Sequence, residues 1–162
     1  MIRLTLLRHA TSTWDRPDIR DFDRKIDEGG RREATLMGLV CKERLPPPDL
    51  VLVSPAIRTR ETIKFFFKAW MKKAPSVKVT ESLYLAGLSE WRQAVEEKTS
   101  GVQHLLVCSH QPGLGDFASW LCPEFDGNVP PATVISIRMR SGKIERNAGV
   151  LDFTGRPKDF TG

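Results

Sequence analysis

Three short apolar runs set the tightest limit on how this chain can fold: the largely apolar Ile2 to Leu7, and the continuous Leu50-Val51-Leu52-Val53 and Leu105-Leu106-Val107-Cys108. Runs of this length, bounded by turn residues and without polar alternation, are how strands buried on both faces read. Such strands belong to parallel sheets covered by helices. The segments between them have helical spacing. Asp27-Glu28-Gly29-Gly30 opens a helix predicted from Arg31 to about Arg44 and stopped by Pro46-Pro47-Pro48. From Ala56 to Lys73 an apolar stripe through Ile57, Ile63, Phe66 and Trp70 predicts a long helix, with Arg60, Lys64, Lys68 and Lys72 on a solvated face. Ser89 caps a predicted helix to about Thr99, and Pro112 starts one through Trp120-Leu121. Val77 to Val79 is a short strand. Thr133 to Met139 and Lys143 to Ala148 are expected to form an antiparallel pair joined at Ser141-Gly142, and the tail from Asp152 reads as irregular. The alternation predicts an α/β fold, a three-layer α/β/α sandwich with a mostly parallel sheet and an antiparallel edge strand.

The 162 residues fit one domain with a continuous core. No apolar stretch approaches the roughly 20 residues of a membrane span, and Met1 to Leu7 is too short for a secretory signal, so a cytoplasmic location and no membrane partner are expected. Cys41, Cys108 and Cys122 form no C-x-x-C pair, which argues against a disulfide framework or a cysteine zinc site. The net charge of +5 favours an anionic partner. The cations are scattered among acids with no aromatic-interleaved stripe, so a phosphorylated substrate is favoured over nucleic acid.

In such sheets ligands bind beyond the carboxyl ends of the strands. Each apolar run is followed there by chemistry: Arg8-His9, then Ser54-Pro55-Ala56-Ile57-Arg58, then Ser109-His110-Gln111-Pro112. Arginine offers a planar fork of donors that matches phosphate, and histidine is both a nucleophile and a proton carrier near neutral pH. Two guanidiniums and two imidazoles at three strand ends therefore read as an anion site with a nucleophile in it. Considered singly, His110 could be a satisfied histidine at a helix start, and Arg58 could pair with Glu61 on its own helix. His104 precedes its strand and reads as structural.

These segments, with Ile26 to Ala34, resemble in order the signature segments of the histidine phosphatase superfamily, the group that includes the phosphoglycerate mutases. Ala10 and the Trp14-Asp15 continuation are most similar to its SixA-type phosphohistidine phosphatase branch. The resemblance implies a phosphoglycerate mutase-like fold and a metal-independent phosphatase with no cofactor. His9 would attack phosphorus, and Arg8 and Arg58 would clamp the equatorial oxygens. His110 would be a further donor, protonated when the phosphoryl group is bound, and Ser12, Asp15 and Gln111 would add substrate contacts. The implied substrate is a phosphate-bearing molecule, with phosphohistidine in a protein partner preferred. A small phosphomonoester is the alternative within the class, and a non-catalytic phosphate-binding module the alternative outside it.

Two departures from the family pattern bear on the substrate. The position where many relatives carry a glutamate general acid falls on Leu85, and Asp15 stands where the mutases carry an asparagine. An alkoxide leaving group needs a proton donor, whereas a protonated phosphohistidine ring can leave neutral, its conjugate acid having a pKa of about 6.5. The missing acid thus favours a phosphoramidate, unless a raised pKa lets Asp15 itself donate. The positions six residues after the cysteines hold Pro47, Leu114 and Asn128, not Arg, and no G-x-x-x-x-G-K-[ST] loop occurs, so cysteine-phosphatase and P-loop chemistry are not indicated.

Overall fold

In the computed structural model, which describes residues 2–14 and 16–161, the apolar runs are the centre of a six-stranded sheet of order β3-β2-β4-β1-β5-β6. The strands are β1 (Ile2–Arg8), β2 (Leu50–Val53), β3 (Ser76–Val79), β4 (His104–Ser109), β5 (Val134–Met139) and β6 (Gly149–Gly155). β3, β2, β4 and β1 run parallel, β5 is antiparallel to β1, and β6 is antiparallel to β5. Every residue of β2 and β4 is buried, as their unbroken apolar character requires of strands covered on both faces.

Helices α1 (Glu28–Arg44) and α2 (Ile57–Trp70) cover one face, where Met37, Cys41, Phe66 and Trp70 pack on Val51, Val53 and Leu106. Helices α3 (Leu88–Glu96) and α4 (Gly113–Leu121) cover the other, where Trp91 stacks on Phe117 with centroids 5.4 Å apart over Leu52, Leu105 and Val107. Each buried large side chain of this kind contributes about 1.5–3 kcal/mol. The result is the three-layer sandwich read from the sequence. Close approach of α1 to α2 depends on Gly38, where a Cβ would stand 2.2 Å from the Phe66 carbonyl oxygen.

Several boundaries differ from expectation. α1 starts at Glu28 because the Asp27 carboxylate accepts from the Gly30 N–H at 2.7 Å and caps the helix before its glycines. α2 ends at Trp70, with Met71 extended, five residues ahead of Pro75. α3 has Gly87 at its N-cap, so Ser89 lies inside the helix. The partner of β5 is Gly149–Gly155, not Lys143 to Ala148. Ser141-Gly142 does turn, with Gly142 at φ +72°, but the stretch after it is irregular up to a second turn at Arg146-Asn147. It is held by buried Ile144 and by the Asn147 N–H donating to the Trp120 carbonyl. The tail is correspondingly ordered: it continues β6 to Gly155 and places Phe160 against the α1–α2 core.

Candidate active site

Parallel register brings the three chemical segments to one level. Arg8 pairs with Ser109 and Val53 with Cys108, so His9, Ser54 and His110 leave adjacent strands side by side. The His9 N–H donates to the Ser109 carbonyl, and the Ser54 N–H to the Cys108 carbonyl, extending the ladder into the site. The His9 and His110 rings lie 5.5 Å apart between centroids.

His9 is held in one tautomer. Its Nδ1 lies 2.8 Å from the Ala10 carbonyl, which can only accept, so Nδ1 carries the proton and the Nε2 lone pair is left for attack. The Ala10 N–H is itself fixed by the Thr62 hydroxyl at 2.9 Å. Burial, followed by the charges of Arg58, Arg8 and Arg24, pushes the His9 pKa down to about 4, against the opposing effect of the Ala10 bond. At neutral pH the ring is neutral, with the Nε2 lone pair free.

His110 is neutral as well: burial first, then Arg58 and His9, push it down to about 3. The Ser54 hydroxyl accepts from the Ala56 N–H at 3.4 Å and lies 2.7 Å from His110 Nε2. With Ser54 donating to Nε2, the ring keeps its proton on Nδ1, a buried atom with no protein partner. In that tautomer His110 donates to an anion in the free protein without a second proton.

Arg58, at the first turn of α2, is 3% exposed. It donates through Nη1 to the Asp21 carbonyl at 2.7 Å and through Nη2 to the Asp21 carboxylate at 3.1 Å. Asp21, rather than Glu61, is its partner, and Glu61 accepts from the Ile26 N–H instead. Arg8 donates to the Val129 carbonyl at 2.8 Å, and burial followed by the charge of Arg58 lowers its pKa. The Nε atoms of Arg8 and Arg58 are buried with no protein partner, as is Nδ1 of His110. Three unpaired donors around a neutral imidazole form a site suited to a tetrahedral oxyanion.

Of the remaining expected contacts, Ser12 forms an isolated bridge with Ile26, and its hydroxyl accepts from Arg24. The Gln111 side-chain oxygen accepts from the Gly115 N–H at 2.7 Å, which commits it to the start of α4. Asp15 lies outside the described residues. Leu85 is 63% exposed with φ +52°, while its neighbour Tyr84 turns inward, edge-on to His110 at 5.6 Å between centroids. Among the described residues no group of three or more His, Cys, Asp or Glu is arranged to hold a metal.

Sequence reasoning missed a polar network built on Asp21. Its carboxylate accepts from Arg24 at 2.9 Å and from the Tyr84 hydroxyl at 2.7 Å in addition to Arg58. Burial opposes ionisation there, but the bonds from Tyr84 and Arg24 and the charge of Arg58 hold the Asp21 carboxyl at about 2. Arg24, 8% exposed, stacks on the Trp14 ring at 3.5 Å and reaches the Thr13 carbonyl. Two local signals were available: Asp21-Phe22-Asp23-Arg24 is a charged loop within reach of the anion site, and Tyr84 is the chain's only tyrosine.

No protein-family model matches the chain. An uncharacterized protein of Mycobacterium leprae is 35% identical over 115 residues, 69% of this chain and 68% of that protein. An uncharacterized chloroplastic protein of Arabidopsis thaliana is 44% identical over 62 residues, 38% of this chain, and the match spans 28% of that relative's length. Among solved structures, the SixA protein of Agrobacterium tumefaciens superposes with a TM-score of 0.83 at 24% identity, covering 96% of this chain and 98% of that one. The protein histidine phosphatase SixA complexed with tungstate superposes with a TM-score of 0.84 at 22% identity, covering 99% and 100%. At these identities the likeness establishes the fold.

Proposed function

The chain belongs to one family with that Mycobacterium leprae protein and has the histidine phosphatase fold of the SixA proteins; on this premise we propose that it is a metal-independent phosphatase that removes phosphate from phosphohistidine in a protein partner. The observation that carries the reading is the state of His9: neutral, with its proton fixed on Nδ1 by Ala10, and surrounded by the unpaired donors of Arg8, Arg58 and His110. In the forward step His9 Nε2 forms a bond to phosphorus as the bond to the leaving nitrogen breaks, and the equatorial oxygens accept from the guanidiniums and from His110 Nδ1. Water then attacks the phosphohistidine, releasing phosphate and restoring neutral His9.

The substrate preference is supported by the acids at the site. Asp21, held at about 2, is ionised and committed to three donors, so it offers no proton to a leaving alkoxide. Leu85 faces outward. A leaving imidazole needs no such donor when its ring is already protonated.

Trapping in alkaline denaturant with labelled phosphohistidine peptide tests both parts. An acid-labile phosphoryl label should form on the wild type and be absent from His9→Ala. Phosphohistidine peptide should turn over faster than phosphoserine peptide. Absence of label on the wild type would remove covalent catalysis, and equal turnover of the two peptides would favour a general phosphomonoesterase.

A further inference from the structure

β3 is the open edge of the sheet, and all of its residues are exposed. Thr80, just beyond it, donates its N–H to the Val53 carbonyl at 2.8 Å. In a parallel ladder alternate residues face the same neighbour, so Ser76 and Lys78 bond to β2 while Val77 and Val79 turn their backbone N–H and C=O groups outward. Those groups are a template for another strand. The two valines, 39% and 51% exposed, also line two contiguous cavities of about 490 and 510 Å³ between β3 and α2, floored by Ile63 and Phe67.

Along the rim of this groove run Arg60, Lys64 and Lys68, one per turn of α2, with Lys72 just beyond the helix end. None of them pairs with an acid among the described residues. The sole acid in the lining, Glu61, is occupied by the Ile26 N–H. An open strand edge, an apolar floor and an uncompensated cation row coincide on one surface.

We infer that the β3–α2 groove binds an extended acidic segment of a protein partner, which adds as a strand to β3; every second side chain faces α2, and these place apolar groups on Val77, Val79 and Ile63 and carboxylates against the cation row. A second copy of this chain is the wrong occupant, because pairing two β3 edges would bring the two cation rows together. Nucleic acid would gain phosphate contacts but finds no exposed aromatic platform, and it has no backbone complement for a strand edge. The position suits recruitment: β3 runs through the Glu81–Leu83 turn into Tyr84, which touches His110, so a segment docked here lies beside the catalytic mouth. That use of the surface rests on the proposed action on a protein substrate; the binding itself does not.

The test is fluorescence anisotropy of a labelled peptide of about eight residues in which every second residue, facing α2, is alternately Val and Glu and the intervening residues are Thr, with a proline-interrupted peptide of the same composition and a thymidine oligonucleotide of matched charge as competitors. Wild-type protein should bind the alternating peptide, with slowed amide exchange at Val77 and Val79. Lys64→Glu/Lys68→Glu should weaken binding about tenfold or more. Val77→Pro, which removes an outward N–H and leaves the β2 ladder intact, should weaken it similarly with an unchanged circular dichroism spectrum. Unchanged affinity in both variants, equal binding of the proline-interrupted peptide, or displacement by the oligonucleotide at equal charge would overturn the inference. The readout is binding alone, so loss of turnover would count against the proposed chemistry and leave this surface standing.

Discussion

The Asp21 carboxylate and the Arg58 guanidinium form an ion pair at 3.1 Å inside the anion site, and the Asp21 carbonyl takes a second Arg58 N–H at 2.7 Å. One residue thus both orients the guanidinium and places a negative charge beside the proposed phosphate position. The backbone bond survives substitution of the side chain, which separates the two effects. Asp21→Asn should keep Arg58 in place and lower the inhibition constant for inorganic phosphate by about threefold to tenfold, a modest change because the carboxylate is partly solvated. Asp21→Ala should also lose the anchors of Arg24 and Tyr84 and lower kcat. Unchanged phosphate inhibition in Asp21→Asn would show that the carboxylate does not compete for Arg58.

The tautomer of His9 is open to direct observation. In nitrogen-detected NMR its Nδ1 should appear protonated and its Nε2 bare from pH 8 down to about 5, with titration near 4. A midpoint above 6 would remove the electrostatic argument for a neutral nucleophile.

Ser54 is predicted to act through His110. Removing its hydroxyl in Ser54→Ala leaves Nε2 without a donor and frees the ring to exchange tautomers, at a cost of about 1–3 kcal/mol. kcat should fall roughly tenfold to a hundredfold with a changed His110 nitrogen spectrum. A fall in kcat without that spectral change would point to packing.

Stability should follow the histidines. His9 and His104 are held at about 4 and His110 at about 3 by burial above all, below the ordinary value of 6.5. Between those values the unfolded chain binds more protons than the folded one, so stability is fully present above about pH 6.5 and is lost as pH falls through 4 and 3. Tm by circular dichroism should drop across that window, and a His104→Gln variant should flatten part of the slope. A Tm independent of pH from 7 to 4 would contradict the assignment.

Gly30 and Gly113 are fixed by close approach. A Cβ at Gly30 would lie 2.3 Å from the Thr11 carbonyl oxygen, and one at Gly113 would lie 2.0 Å from that of Ala86. Each alanine variant should lose about 1–3 kcal/mol by chemical denaturation, since the obstructing atom is backbone. Wild-type stability in Gly30→Ala would show that the loop after β1 can yield.

The sheet was legible because Leu50–Val53 and Leu105–Cys108 carry their burial in their composition: a continuous apolar run has few places to go except the centre of a covered sheet. The strand at 149–155 was not, because an edge strand with one wet face mixes Leu151 and Phe153 with Asp152 and Thr154 and differs little from a loop.

Local order along the chain determined that Arg8-His9, Arg58 and His110 follow strands, and their residue types limited the chemistry to an anion. Tertiary structure decided what each of them is. The Ala10 carbonyl selects the tautomer of His9, Ser54 bonds Nε2 of His110, and Asp21, 37 positions from Arg58, holds the guanidinium. Partners of this kind leave little periodic trace, because a hydrogen bond between distant residues depends on register and burial, which exist only once the strands are side by side.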